Sequence, residues 1–229
     1  MSKIVYIAFL NATYLPGVKK KVVHTCNAFK GMGYETNSLI IDSGERNPRF
    51  NLLKKLISLK KDVDIVYLRN PFFDEVFFLP FILFWKLRKV KIIVEVPTPV
   101  SNVLMETVGR KNLSIFGRLI RALILLVFYP WFHLFANKLI TFAPENIYFG
   151  GILKSRTEFL GNGVDVSSIR MCPPKRFESN RLDLIGVAAL AQWHGFDRLI
   201  ESLQVYYGDD HNDLNIVHFT IVGDGPVLE

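Results

Sequence analysis

The hydrophobic and polar positions of this chain follow two alternating patterns. Continuous apolar runs such as Ile4–Leu10 and Val90–Val96 are typical of strands that are buried in a parallel sheet. Segments with helical spacing lie between them, and Lys19–Lys30 places Val22 and Cys26 on one face. Strands that alternate with helices predict an α/β fold, with a parallel sheet covered on both faces.

The predicted elements also indicate how the chain is divided. Strands are predicted at residues 4–10, 39–41, 64–68, 90–96, 139–142, 182–190 and 217–222. Helices are predicted at residues 19–30, 52–59, 76–89 and 196–206, and residues 115–135 form the longest apolar stretch. The pattern restarts after residue 165, following a turn at Asn162–Gly163. We therefore expect two α/β domains in tandem, residues 1–165 and 166–229.

Charge is distributed unevenly between these two parts. Residues 1–161 hold 23 Lys and Arg against 11 Asp and Glu, whereas residues 162–229 hold 5 against 10. A basic first part indicates an anionic partner, either a membrane or a nucleic acid. Because no recognised nucleic-acid motif accompanies the charge, we expect a membrane surface and no nucleic acid.

Cysteine content and the N-terminus narrow the cellular setting. The only cysteines, Cys26 and Cys172, argue against a disulfide framework and fit a reducing cytosol. No Cys/His cluster has metal-ligand spacing, so we expect neither a metal nor a cofactor. The apolar run after Lys3 is better explained as a first strand than as a secretory signal, since no small-residue cleavage site follows it.

The long apolar stretch in the first domain is flanked by cations. Its core, Ala122–Phe132, contains Pro130 and is shorter than the roughly 20 residues that a spanning helix needs. We therefore expect a helix that lies in the membrane interface, with its cations on anionic headgroups. The alternative is a buried helix with a solvated basic end. The residues expected to face the membrane are Arg110, Lys111, Arg118 and Arg121.

The clearest candidate chemistry lies at the start of the helix predicted at residues 196–206. A helix that begins after a glycine, here Gly195, presents unpaired backbone N–H groups and a positive dipole end to an anion. His194 and Arg198 add donors, and an arginine grips a phosphate with two N–H bonds. The alternative is that Trp193 belongs to the core and Arg198 is a surface cation.

A glycine turn, Gly223-Asp224-Gly225-Pro226, ends the last predicted strand. Glycines at this position either allow a ligand to approach the carboxyl edge of the sheet or form an ordinary tight turn. Such sites would suit a donor substrate that has a diphosphate leaving group. The residues expected to bind the phosphates of this donor are His194, Gly195, Arg198, Gly223 and Gly225.

Glu95 lies where the fourth predicted strand meets its loop, and it is the candidate catalytic residue. A carboxylate at this edge can accept a hydrogen bond from a sugar hydroxyl or act as a base. Pairing with a nearby Arg or Lys is the alternative. Gly17 and Thr98, which follow the first and fourth strands, join Glu95 as candidates on the acceptor side.

Three separated motifs, Asn162–Asp165, Gln192–Ile200 and Ile221–Pro226, together resemble the retaining group 1 (family 4) glycosyltransferases of the GT-B fold. The segments Glu95–Pro99 and Phe149–Asp165 are similar to members that build bacterial capsular or cell-surface polysaccharide. The resemblance implies two Rossmann-like domains, of which the first binds a lipid-linked or glycan acceptor and the second a nucleotide sugar. It also implies a cytoplasmic protein, peripheral on the inner face of the cell membrane, that works without a metal.

The sequence departs from the family pattern in two ways. A basic pair of the family corresponds to His194 and to a position near Ala188–Ala191, where no cation stands; Arg198 compensates one turn further on. The family's pair of glutamates, which holds the sugar and the ribose, has no counterpart after residue 226. We therefore expect a partial second domain and a weak or inactive chain.

Two alternatives follow from the same residues. The first is a non-catalytic, membrane-associated acceptor-binding module, for instance one half of a split transferase. The second is an unrelated doubly wound nucleotide-binding protein.

Overall fold

The structure is a computed structural model of the chain. The residues that it describes are 1–11, 15–59, 63–109, 114–142, 152–163, 166, 169–173, 181–188, 190, 194–208 and 216–224. The chain divides into two compact units, Met1–Val166 (unit 1) and Ser167–Glu229 (unit 2).

Unit 1 alternates strands with helices, which confirms the α/β class predicted from the sequence. Its strands are β1 (Lys3–Leu10), β2 (Glu35–Asp42), β3 (Ile65–Arg69), β4 (Lys91–Val96), β5 (Lys138–Thr141) and β6 (Thr157–Phe159). Its helices are α1 (Pro16–Gly31), α2 (Pro48–Ser58), α3 (Glu75–Leu87), α4 (Val100–Gly109), α5 (Ile115–Leu134) and α6 (Ile152–Arg156), and a 3-10 turn at Phe72–Asp74 precedes α3. The strands form one six-stranded parallel sheet in the order β2-β1-β3-β4-β5-β6.

Helices cover both faces of this sheet, as buried parallel strands require. Because side chains alternate along a strand, Tyr6 and Ala8 face α1, whereas Val5 and Ile7 face the opposite layer. That opposite layer is the larger core, to which α2, α3 and α5 contribute. Its largest fully buried side chains include Trp85, Tyr129, Phe78 and Phe132.

Several elements of unit 1 differ from the sequence prediction, among them α6 and β6, which were not predicted. The helix α4 was not predicted, because Pro97 and Pro99 suggested a loop; the carbonyl of Pro99 instead accepts hydrogen bonds from Asn102 N and Val103 N and starts the helix. The helix α5 extends through Pro130 and is longer than its apolar core suggested, and Ser114 caps it by accepting a hydrogen bond from Gly117 N at 3.1 Å.

Unit 2 contains a βαβ arrangement of β7 (Arg181–Val187), α7 (Phe196–Gly208) and β8 (Ile216–Val222). The two strands pair in parallel. The ring of Phe196 lies against Gly186, and its centroid is 6.0 Å from that of Phe219. The helix α7 therefore covers one face of this small sheet.

Buried polar side chains gather around Asn70, just after β3. Asn70 Nδ2 lies 3.3 Å from His133 Nε2, and Asn70 Oδ1 accepts a hydrogen bond from Phe72 N at 3.0 Å. Glu75 is also fully buried, and neither of its carboxyl oxygens makes a well-formed hydrogen bond within the described residues. Burial raises the pKa of Glu75 to about 8, with Asn70 opposing, and it lowers the pKa of His133 to about 3. Both groups are therefore mainly neutral at pH 7.

We expect Glu75→Gln to remove a loss of stability that the wild type shows as the pH rises from about 5 to about 8. Folding raises the Glu75 pKa from 4.5 to about 8, so its contribution is complete below the lower value and is lost as the pH rises through the higher one. Each pKa unit corresponds to about 1.4 kcal/mol, so the wild type should lose roughly 3 kcal/mol relative to the variant between about pH 5 and pH 8. Urea unfolding across this range measures the difference.

The control is Glu35→Gln, which removes one exposed carboxylate that pairs with Lys3. Its free energy of unfolding should follow the pH dependence of the wild type. Parallel curves for the wild type and Glu75→Gln would contradict the expectation.

Candidate functional site

The predicted phosphate-binding segment of unit 2 lies at the carboxyl edge of its sheet. Gly195 directly precedes α7 and has a φ of 68°, a conformation that glycine adopts without strain. The Arg198 guanidinium folds back over it, with Nη2 only 3.0 Å from where a Cβ would stand at Gly195. His194 is exposed, and its ring centroid lies 6.0 Å from that of Phe196. The structure thus brings His194, Gly195 and Arg198 together at one helix start.

Gly223 ends β8 and approaches the segment that follows β7. Its φ is 151°, and a Cβ there would lie 1.8 Å from the carbonyl oxygen of Ala188. Backbone hydrogen bonds continue past both strands, from Ala188 N to Val222 O and from Leu190 N to Asp224 O. The close approach to the Ala188 carbonyl accounts for this glycine, while a ligand-facing turn and an ordinary tight turn both stay predictions. Gly225 and Trp193 lie outside the described residues.

Glu95 is enclosed at the carboxyl end of β4, where its side chain is 1% exposed. Its Oε2 accepts hydrogen bonds from the hydroxyls of Tyr6 at 2.6 Å and Tyr67 at 3.3 Å. Its Oε1 accepts from Arg69 and lies 3.5 Å from Lys21 Nζ. These contacts fill the acceptor positions of both oxygens. We call these five residues the Glu95 cluster.

The electrostatics of the Glu95 cluster keep its two tyrosine hydroxyls protonated. Burial raises the pKa of Tyr6 and of Tyr67, and the Glu95 charge raises both further. Burial lowers the pKa of Lys21, and Glu95 opposes this effect. The geometry matches the alternative that Glu95 pairs with neighbouring cations. Its role as a base or as a sugar ligand stays a prediction that these contacts do not favour.

Gly17 and Thr98 lie near the same edge of the sheet as the end of β4. Gly17 is in the first turn of α1, exposed, with open space where a Cβ would stand. Thr98 is half-buried between β4 and α4. Because β1 and β4 are parallel and separated only by β3, their carboxyl ends open onto one edge. A ligand at this edge would meet the loop after β1 and the loop after β4.

The two described arginines of α5 lie on the side of the helix that faces the protein. Arg118 Nη1 donates to the carbonyl of Val108 at 2.9 Å, and the Arg121 guanidinium lies 5.3 Å from the ring centroid of Phe73. At about 3.6 residues per turn, both share the face of the buried Leu125. They brace α5 against α4 and the 3-10 turn. Their expected role at a membrane stays a prediction, and Arg110 and Lys111 lie outside the described residues.

The opposite face of α5 is exposed and apolar. By length and composition, α5 is long and apolar enough to cross a membrane, with a mean hydropathy of 1.7, and 17% of its most apolar window is buried. The core helix of a soluble protein can have the same length and composition, but such a helix is mostly buried, unlike α5. No charged side chain of α5 belongs to the exposed set. The exposed residues, which we call the α5 stripe, are Ile115, Phe116, Leu119, Ile120, Leu123, Leu126, Val127, Trp131 and Leu134.

Sequence reasoning did not identify the partners of Glu95. Tyr6 and Tyr67 interrupt apolar strands at positions that are directly opposite in register, and Arg69 is opposite Glu95. An arginine and a glutamate that each end a buried strand are a usable signal for a buried pair. Lys21 gave no signal, because it stands in a run of three lysines that reads as a solvated helix face.

Metal sites and known relatives add no further assignment. Within the described residues, no group of three or more His, Cys, Asp and Glu side chains is placed to hold a metal ion. Comparisons with models of protein families and with curated proteins returned no match. The functional argument therefore depends on the geometry of the two units.

We expect Glu95→Gln to destabilise unit 1 strongly. The change leaves Arg69 and Lys21 without their buried anion, and loss of one partner of such a pair costs about 3 kcal/mol or more. The matched control is Glu158→Gln, whose exposed pair with Lys138 should contribute less than about 1 kcal/mol. Urea unfolding measures both, and equal stabilities of the two variants would contradict the structural role of Glu95.

Proposed function

We propose that this protein transfers a sugar from a nucleoside-diphosphate sugar to a membrane-held or lipid-linked glycan acceptor. In this proposal unit 2 binds the donor, and unit 1 holds the acceptor at the inner face of the cell membrane. The product belongs to a surface polysaccharide such as a capsule. The observation that carries the proposal is the helix start at Gly195, over which the Arg198 guanidinium is folded.

The chemistry of this helix start suits a departing diphosphate. Negative charge builds on the leaving phosphate as the bond to the sugar breaks, and fixed donors that face this charge lower the barrier. The first turn of a helix supplies unpaired N–H groups and a positive dipole end. Arg198 adds a full positive charge with two parallel N–H donors. The stereochemical outcome, retention, comes from the family resemblance alone.

The position of the helix start supports the same proposal. In parallel α/β sheets, ligands bind outside the carboxyl ends of the strands. The carboxyl ends of β7 and β8 are neighbours, because the two strands pair in parallel. Gly195 follows the first of these ends and Gly223 the second. A bound diphosphate would therefore meet Gly195 and Arg198 at the edge where such ligands are normally found.

The α5 stripe supports the membrane part of the proposal. The helix is about 30 Å long and exposes large apolar side chains along its length. It is also anchored to the core through Leu125, Tyr129 and Phe132. We therefore propose that α5 lies in the membrane interface, with the stripe among the acyl chains. The net positive charge of residues 1–161 adds attraction to anionic lipids.

A second candidate function is a non-catalytic, membrane-associated module that binds the acceptor, as one half of a split transferase. The α5 stripe favours it, because membrane binding through this helix needs no donor site in unit 2. The two candidates differ in nucleotide binding, which only the transferase requires.

We expect isothermal titration calorimetry to detect binding of UDP or GDP, and Arg198→Gln to weaken it. Loss of charge-assisted hydrogen bonds to a phosphate costs about 1.5 kcal/mol or more, which is about tenfold in affinity. The control is Arg181→Gln, because Arg181 begins β7 at the opposite edge of the sheet and pairs with Asp183. Absence of heat with both nucleotides would reject the transferase and favour the membrane module.

We expect the α5 stripe to carry membrane binding. In co-sedimentation with phosphatidylglycerol vesicles, Leu119→Asn combined with Leu126→Asn should reduce binding by at least about tenfold, because both side chains lose their transfer into the acyl region. The control is Val205→Asn, which alters an exposed apolar residue of unit 2. Arg118→Gln combined with Arg121→Gln should have the smaller effect. A larger loss of vesicle binding in the arginine double variant would show that the cations, rather than the α5 stripe, make the membrane contact.

A further inference from the structure

Lys21 of α1 is held by groups from three separate parts of unit 1. Its Nζ donates to Asn162 Oδ1 at 3.2 Å and lies 3.5 Å from Glu95 Oε1. The same nitrogen lies 3.4 Å from the ring centroid of Phe142, just after β5. Asn162 follows β6, where the chain begins its passage to unit 2. One ammonium group therefore joins the sheet edge to the start of this connection.

Among the contacts between described residues, the segment Gly161–Gly163 has few other restraints. Just before this segment, Leu160 N donates a backbone hydrogen bond to Thr141 O. Gly161 and Gly163 flank Asn162, and open space surrounds the position of a Cβ at each. Asn162 thus carries the only side chain of this three-residue segment. This side chain accepts a hydrogen bond from Lys21.

The other end of the contact is firmly fixed. Glu95 is buried and bound by Tyr6, Tyr67 and Arg69, so its carboxylate cannot follow a moving lysine. The Lys21 side chain is 31% exposed, and burial lowers its pKa while Glu95 opposes the shift. Lys21 therefore holds the Asn162 side chain close to the fixed carboxylate of Glu95.

We propose that Lys21 is a latch that orders the glycine-flanked segment Gly161–Gly163 of unit 1. The latch consists of Lys21, Glu95, Phe142 and Asn162. Lys21 is a positioning residue in this arrangement, and it acts through Asn162 on this segment. With the latch formed, the segment Gly161–Gly163 keeps one conformation; with the latch broken, its two glycines allow many.

The latch predicts a change in the local mobility of the backbone at Asn162 and Gly163. The measurement is the backbone ¹⁵N order parameter of Asn162 and Gly163 in the full-length chain. In the wild type it should be close to that of ordered backbone, about 0.85. In Lys21→Met, which keeps the unbranched apolar part of the side chain but removes the ammonium group, it should fall below about 0.6.

Three further variants make the test specific. Asn162→Ala removes the acceptor without disturbing the Lys21–Glu95 pair, so it should give the same fall and decides the question if Lys21→Met does not fold. Asn162→Asp offers an ionised acceptor and should keep the order parameter of the wild type. Lys20→Met, a neighbouring exposed lysine, should have no effect.

Unchanged order parameters in Asn162→Ala would overturn the proposal, and so would an equal fall in Lys20→Met. Neither nucleotide nor membrane enters this measurement. Its result is therefore independent of whether the protein is a transferase or a membrane module.

Discussion

A buried carboxylate needs a partner for each of its acceptor positions, and this requirement organises unit 1 around Glu95. The phenols of Tyr6 and Tyr67 fix β1 and β3 on one oxygen, while Arg69 and Lys21 bring β3 and α1 to the other. Removal of any donor leaves part of a buried charge uncompensated. The cluster therefore determines how α1 sits on the sheet, and through Lys21 it reaches the chain segment that leads out of unit 1.

The internal use of cations changes how the positive charge of the chain should be interpreted. Arg69, Arg118 and Arg121 each contact other groups of the protein. Lys21 contacts three such groups, in Glu95, Phe142 and Asn162. The net charge of residues 1–161 therefore overstates the positive charge that the surface presents to a membrane. The α5 stripe is apolar because the arginines of that helix serve its inner face. If the protein binds a membrane through α5, apolar transfer supplies more of the affinity than headgroup attraction.

Local signals explain which features the sequence could predict. Buried parallel strands such as β1 and β4 are continuous apolar runs, and the helix start at Gly195 joins a glycine to a helical period within a few residues. The tyrosine partners of Glu95 could not be predicted, because Tyr6 lies 89 residues away and is brought near only by the strand order. The direction of Arg118 was equally hidden, since it depends on which side of α5 meets α4.

The two glycines of unit 2 show how the structure narrows a motif to a site. A Cβ at Gly223 would collide with the backbone of Ala188, so packing within the chain alone accounts for this glycine. At Gly195 a Cβ would meet only the end of the flexible Arg198 side chain, which is exposed and able to turn outward. Packing within the chain therefore does not by itself account for the glycine at position 195 together with an arginine folded over it. The anion-binding hypothesis is therefore centred on Gly195 and Arg198, and Gly223 contributes by holding the neighbouring strand end in place.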